Sequence, residues 1–288
     1  MSRAFFAAAA VVLSLLPLPA AAAGASIGIV AAENFYGELA SEIGGQHVVV
    51  TSILSNPDAD PHLFESNPST ARALADADIV LYNGADYDPW MEKLLSASPR
   101  PARTEIVAAT LTGHKSGDNP HLWYDPPTLP AVAAALAAAL TQRDPADAAE
   151  YAANLETFKG SLAPVARRIA EIRAAHAGIS VTATEPVFGY MAAALGFKML
   201  NEPFQIAIMN DTEPSPSEVA GFEASLRSGA AKLLFYNAQV TDDTTTRLLG
   251  LARDSHVPVV GVTETMPAAT GVAAWLDAEL ATVEDALK

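Results

Sequence analysis

The sequence predicts an α/β protein: two parallel-sheet α/β lobes joined by one long backbone helix. Three observations carry that prediction. Short apolar runs alternate with amphipathic stretches in both halves, the pattern of βαβ units. Between the halves, apolar residues recur at Tyr151, Leu155, Phe158, Leu162, Val165, Ile169 and Ile172, in alternating steps of four and three that define one helical face. Acidic residues follow directly on strand-like runs, at the carboxyl edge where α/β sheets place ligands.

In the first half, a short apolar strand over 26–31 precedes a helical pattern over 35–43 and a second strand over 48–54. A helix over 69–77, strands over 79–83 and 105–108, and a helix over 128–140 with prolines around its first turn complete this lobe. The central stripe then predicts a single helix over 144–175, with Asp144 as N-cap and Pro145 at the first helical position. At about 1.5 Å per residue it would be about 48 Å long. Gly160 and Pro164 lie inside it and predict a kink. The competing reading is two shorter helices separated by a turn.

The second half predicts a strand over 179–184 ending at Glu185, then helices over 187–195 and 217–228. A strand over 232–236, a helix over 244–255, a strand over 257–262 ending before Glu264, and a helix over 271–287 follow. No internal sequence repeat is visible. The division that follows is 1–23, 24–143, 144–176 as connecting helix, and 177–288.

The first 23 residues have the form of a secretory leader. Arg3 supplies the positive charge, residues 5–16 the apolar run, and Ala21, Ala22 and Ala23 the small-residue cleavage context, so cleavage is expected near Ala23 or Ala25. The run is shorter than the ~20 apolar residues of a spanning helix, and no Cys follows that could take a lipid. The expected location is the periplasm, without a lipid anchor.

The chain has no Cys, which excludes disulfides, thiolate zinc sites and a thiol nucleophile. Its net charge of −16 argues against nucleic acid and anionic membrane surfaces as partners. The roughly 265 residues after the leader suffice for one large domain or two smaller ones.

Two His residues stand in unusual contexts: Asp60-Pro61-His62-Leu63-Phe64-Glu65, and Asn119-Pro120-His121-Leu122-Trp123-Tyr124-Asp125-Pro126. Each follows a Pro, which stiffens the local backbone. A His held on a rigid loop loses little entropy on coordinating an ion, and as an exposed loop ligand it is expected to carry little of the core. Asp60, Glu65 and Asp125 are placed to bond the ring nitrogen that does not coordinate. Glu185 and Glu264 supply two carboxylates from strand ends in the second half. Together the four form a candidate site for one divalent transition metal.

Spacing leaves alternatives open, because no local motif as specific as H-E-x-x-H is present. Glu185 also fits as a helix cap ahead of Pro186. Glu264 has rivals in Glu202 and Asp254, and Asp211 and Glu213 are further candidates. His47, His114, His176 and His256 read as surface or hydrogen-bonded residues.

Asp60-Pro61-His62-x-Phe64-Glu65, the Asn119-to-Pro126 run and Glu185-Pro186-Val187-Phe188-Gly189-Tyr190 resemble the zinc/manganese solute-binding proteins of bacterial metal ABC transporters. The resemblance covers essentially all the chain after the leader. It implies two α/β lobes joined by a rigid helix and one ion between them, held by His62, His121, Glu185 and Glu264. It further implies a monomeric periplasmic protein that delivers Zn²⁺ or Mn²⁺, with Fe²⁺ a third candidate, to a permease in the inner membrane, with no reaction catalysed. Many zinc-specific members have His at the third position and a His-rich loop before the second, where this chain has Glu185 and a short segment. Manganese and iron members typically have Asp at the fourth, where this chain has Glu264. Oxygen ligands favour Mn²⁺ or Fe²⁺, while raw affinity favours Zn²⁺ over Mn²⁺. Ligands must be deprotonated to bind, so affinity should fall in acid. The competing functions are a secreted metallohydrolase, which needs an open metal position and a base, and a binding protein for an organic solute.

Overall fold

A computed structural model describes residues 26–56, 61, 64–210, 212–240 and 243–288. The leader, His62 and Asp211 lie outside the described residues. Two four-stranded sheets, every pairing parallel, carry the fold. In the first, β1 (Ile27–Glu33), β2 (Val48–Leu54), β3 (Ile79–Tyr82) and β4 (Thr104–Val107) lie in the order β2-β1-β3-β4. In the second, β5 (Ser180–Ala183), β6 (Lys198–Leu200), β7 (Leu234–Asn237) and β8 (Val259–Val262) lie in the order β6-β5-β7-β8. The two halves therefore share one topology without a visible sequence repeat. Each sheet reverses its direction of growth at its first strand, between β1 and β3 and between β5 and β7. Those switch points are where such sheets open a crevice beyond the strand ends.

Register is fixed by burial. All four residues of β3 are buried, as expected of a central parallel strand covered on both faces. Ile29 pairs with Ile79, and Ile79 with Thr104. In the second sheet, Thr182 pairs with Leu234, and Leu234 with Val259.

Helices α1 (Asn34–Gly44), α2 (Pro68–Asp76), α3 (Pro89–Ala97), α4 (Ala108–Thr112) and α5 (Thr128–Arg143) belong to the first half. Sequence periodicity missed α3 and α4. Each is short, and α3 buries only Met91 and Leu95, too few positions to set a period.

The connecting segment departs from the single-helix expectation. Pro145–Asp147 forms a 3-10 turn, and two helices follow, α6 (Ala148–Ser161) and α7 (Ala163–His176), with Leu162 between them. Pro164 lacks the N–H that would bond the carbonyl of Gly160. The Leu162 N–H bonds back to the Lys159 carbonyl at 3.3 Å, a tighter closure that ends α6. Asp144 makes no capping bond; its Oδ2 accepts from the Tyr151 hydroxyl at 2.9 Å instead. The apolar stripe nonetheless faces the core as predicted: Tyr151, Phe158, Val165 and Ile172 are buried, and Leu155, Leu162 and Ile169 rest against them.

The second half contains α8 (Gly189–Ala194), α9 (Glu202–Met209), α10 (Pro216–Arg227), α11 (Asp243–Asp254) and α12 (Val272–Ala286). The predicted helix over 187–195 is a 3-10 turn, Pro186–Phe188, followed by α8. Strand β6 and helix α9 were not predicted. At three residues, β6 is too short for alternation to register. Helix α10 opens on a capping box between Ser215 and Glu218, which stops the chain from fraying at that end.

One apolar core runs through both halves. At its centre Phe35 lies 4.9 Å from Trp123 and 5.8 Å from Trp275, and Tyr124 lies 5.0 Å from Phe188, centroid to centroid. Burying a side chain of this size contributes about 1.5–3 kcal/mol. The Tyr124 hydroxyl adds polar bonds to the Thr263 carbonyl (2.7 Å) and to Glu279 (2.6 Å). Burial pushes the Glu279 carboxyl up to about 7 despite hydrogen bonds from the Tyr124 hydroxyl, the Thr263 N–H and the Trp275 indole N–H. Arg168 on α7 bonds Asp277 and Glu284 on α12. An apolar contact of this extent restrains the two halves against large relative motion.

Candidate metal centre

His121 follows α4 and a short polar loop, so it does not come from a strand end. It is fully buried, which corrects the expectation of an exposed loop ligand. The loop is held from below by Asn83, the residue just past β3. Its Nδ2 donates to the Pro120 carbonyl at 2.7 Å, and its Oδ1 accepts from the Tyr36 hydroxyl at 3.0 Å. Asn83 is fixed in turn by Asp88, whose carboxylate accepts from the backbone N–H groups of Asn83 (2.6 Å) and Gly84 (2.8 Å). Gly84 sits at φ +74°, a left-handed turn that a side chain would strain.

The orientation of the imidazole is set by Asn119. Its Oδ1 lies 2.7 Å from His121 Nδ1 and accepts from the His121 N–H at 3.1 Å. Its Nδ2 donates to the Pro186 carbonyl at 2.8 Å. With the amide nitrogen committed to a carbonyl, Oδ1 must face the ring, so Nδ1 carries a proton. Nε2 then presents its lone pair, and that atom lies 3.4 Å from Oε2 of Glu264. The partner of Nδ1, Asn119, is not one of the acids the sequence suggested for that nitrogen. Glu65 is exposed, Asp60 lies outside the described residues, and Asp125 faces His114 Nε2 at 3.7 Å.

Glu264 follows β8 and is fully buried. Asn237, the last residue of β7, donates to its Oε1 at 2.6 Å. Gln239 Oε1 accepts from the Glu264 N–H (2.5 Å) and the Thr265 N–H (3.2 Å). Two polar side chains thus hold the residue by both ends. A ring lone pair facing a carboxylate oxygen is electrostatically unfavourable until a cation, or a proton on Nε2, comes between them. A neutral imidazole nitrogen beside a carboxylate oxygen is also a donor set that suits Zn²⁺, Mn²⁺ and Fe²⁺.

Glu185 lies two residues beyond β5, 4 % exposed. It occupies the N-cap position of the Pro186–Phe188 turn, yet its side chain makes no capping bond. The capping reading therefore lacks its hydrogen bond. Among the described residues, Glu185 does not close a three-donor cluster with His121 and Glu264. Among the described residues, the one group of three whose donor atoms all lie within 4.8 Å of each other is His47, Asp147 and Glu150. There, His47 Nδ1 faces Asp147 at 3.1 Å and Nε2 faces Glu150 at 3.2 Å. Two carboxylates on opposite sides of one ring favour its protonated form, and the Glu150 hydrogen bond raises the His47 pKa.

Sequence reasoning missed the layer behind the centre. Tyr87 is in edge contact with His121 at 6.0 Å between centroids. Burial, then the Glu264 charge, push its phenol well above the ordinary range. Glu33, the last residue of β1, is buried beside Asp88; burial and the Asp88 charge raise its carboxyl far above the usual value, and Asp88 is pushed up to about 6. Glu33, Asn83 and Asn237 share a signal that was available: each is a polar residue at or just past the carboxyl end of a strand.

Residues 29–286 match the family model described as "ZnuA: Zinc-uptake complex component A periplasmic". The chain is 27% identical over 216 residues to the iron-binding protein YfeA of Yersinia pestis, covering 71% of this chain and 67% of that one. It is 25% identical over 236 residues to the manganese-binding lipoprotein MntA of Bacillus subtilis, covering 78% and 75%. The periplasmic zinc binding protein TroA from Treponema pallidum has the same fold, with a TM-score of 0.74 at 19% identity over 91% of this chain and 99% of that one.

Proposed function

The chain belongs to the periplasmic zinc-uptake component A family, and from that membership we propose that it captures one divalent transition-metal ion, Zn²⁺ or Mn²⁺ with Fe²⁺ as a third cargo, and delivers it to an ABC permease in the inner membrane. The family is one of substrate-binding transport proteins rather than enzymes, and the ion is cargo. Our reading of the working protein is a periplasmic monomer without a lipid anchor. The reading divides it into metal-binding halves over 24–143 and 177–288, joined by 144–176.

The observation that carries the proposal is the meeting of His121 Nε2 and Glu264 Oε2 at 3.4 Å in a fully buried position. One residue comes from each half, and the ring's lone pair is aimed by Asn119. His62 and Glu185 complete the proposed ligand set. The continuous aromatic core favours capture with a small displacement of the halves. Among the described residues no helix is long and apolar enough to cross a membrane.

Four converging ligands hold one ion. Native mass spectrometry of protein exposed to Zn²⁺ or Mn²⁺ should show one retained metal per chain that a chelator removes slowly. Two tight ions, or none, would contradict the site.

Glu185→His tests the metal preference. Imidazole suits Zn²⁺ and carboxylate suits Mn²⁺, so the ratio of Zn²⁺ to Mn²⁺ affinity should rise. If Glu185 is not a ligand, the ratio stays at the wild-type value.

A further inference from the structure

Asparagine side chains reach from the first half to the backbone of the second beside each of its proposed acids. Asn119 Nδ2 donates to the carbonyl of Pro186, the residue after Glu185, at 2.8 Å. Asn34, the first residue of α1, takes both backbone groups of Met266, two residues after Glu264. Its Nδ2 donates to the Met266 carbonyl at 2.7 Å, and its Oδ1 accepts from the Met266 N–H at 3.0 Å. Contact is close at the first clasp: a Cβ on Gly189 would stand 2.8 Å from Asn119 Nδ2 and would push the amide aside. The Tyr190 hydroxyl closes the same clasp by donating to the Asn119 carbonyl at 2.8 Å.

We infer that Asn34 and Asn119 are positioning residues for the bound ion, setting the distance of Glu264 and Glu185 from His121 by clasping the backbone that carries each acid. The inference rests on the metal-binding reading and adds to it the parts that fix its geometry. The physical case is one of stiffness. A metal needs its ligands within a few tenths of an ångström of the right distance, and a carboxylate on a loop past a strand end does not hold that tolerance alone. An amide bonded to the backbone one residue past Glu185, and another bonded twice to the backbone two residues past Glu264, restrict each loop's freedom to swing away. They also offer a route for release, since breaking a clasp frees one acid without disturbing the aromatic core.

Substitution by Asp separates this role from ring orientation. Asn119→Asp keeps the oxygen that faces His121 Nδ1 and replaces the donor to Pro186 with an oxygen. If Asn119 serves only to orient the ring, a carboxylate there makes the imidazole a stronger donor, and Zn²⁺ is held as tightly or more tightly. If it is a clasp, Zn²⁺ should leave ~10-fold faster or more, the scale of outer partners at metal sites. Asn34→Ala should do the same through Glu264. In a double-mutant cycle its effect on Zn²⁺ affinity should largely vanish when Glu264 is already Ala. Asn154→Ala is the control: it removes a similar amide-to-backbone bond, to the Ile43 carbonyl at 3.1 Å, between α6 and α1, and should leave Zn²⁺ release unchanged.

Release is read by stopped-flow competition with a chelator, and folding by circular dichroism. Tight binding by wild type with wild-type release from both Asn119→Asp and Asn34→Ala would overturn the inference and leave the metal reading standing. Additive effects of Asn34→Ala and Glu264→Ala would overturn it for Asn34. Absence of Zn²⁺ and Mn²⁺ binding by the wild type would overturn both.

Discussion

Replacing His121 by Ala should weaken Zn²⁺ and Mn²⁺ binding by more than the ~10–100-fold typical of losing an outer partner of a metal ligand. The ring is the proposed first-half donor whose surroundings are described, and its free nitrogen is the atom that meets Glu264. The same substitution should destabilise the metal-free protein, because the ring is fully buried between Tyr87 and Trp123. Large-to-small changes in packed interiors cost about 2–5 kcal/mol. His121→Gln, which fills more of the space, separates the two effects: affinity should still collapse while the melting temperature recovers. Isothermal titration on a variant shown to be folded is the measurement. Wild-type affinity in either folded variant would remove His121 from the site.

Glu264→Gln should produce the second large effect, with the opposite consequence for stability. The amide keeps the shape of the carboxylate and an oxygen for the Asn237 donor, but loses the charge. Metal affinity should fall by at least ~100-fold, which corresponds to about 2.7 kcal/mol. The metal-free protein should be as stable as wild type or more so, because a buried charge no longer has to be kept out of water. Chelator-treated protein followed by thermal unfolding, beside titration with Mn²⁺, reads both. A variant that binds metal as wild type would place the second-half ligand elsewhere, with Glu202, Asp211 and Glu213 next to be replaced.

The His121 loop was legible because its information is local. A Pro on the N-terminal side, an Asn two residues before and aromatics after it are all in one short run, and the structure uses each of them. The placement of Glu185 and Glu264 just past strands was legible for a different reason: strand patterns mark their own ends. The identity of the groups behind them was not. In the sequence Asn119 is only part of a motif, and Asp125 stands out as the partner for the ring. Nothing in linear order distinguishes the two, since both lie within four residues of His121. The choice depends on the loop's curvature and on the Pro186 carbonyl, 67 residues further along the chain.

The central segment shows the same limit within one element. The apolar stripe correctly gave the buried face, because side-chain direction follows from helical period alone. Gly160 and Pro164 marked the weak point. Whether the chain bends there or breaks depends on local closure, and the Leu162 N–H bonding to Lys159 ends the first helix.

By itself, the sequence determined two parallel α/β halves, the buried face between them, the His121 loop and the acids past β5 and β8. These follow from periodicities and stiff residues that act over a few positions. The tertiary structure alone decided that the two halves repeat one strand order and share an aromatic core. It also decided that Asn34 and Asn119 clasp the far backbone, and that His121 is buried against Glu264 rather than exposed on a loop. Those are contacts between residues 67 to 232 positions apart. Their energy depends on where the folded sheets bring backbone carbonyls and N–H groups, a quantity that no local pattern encodes.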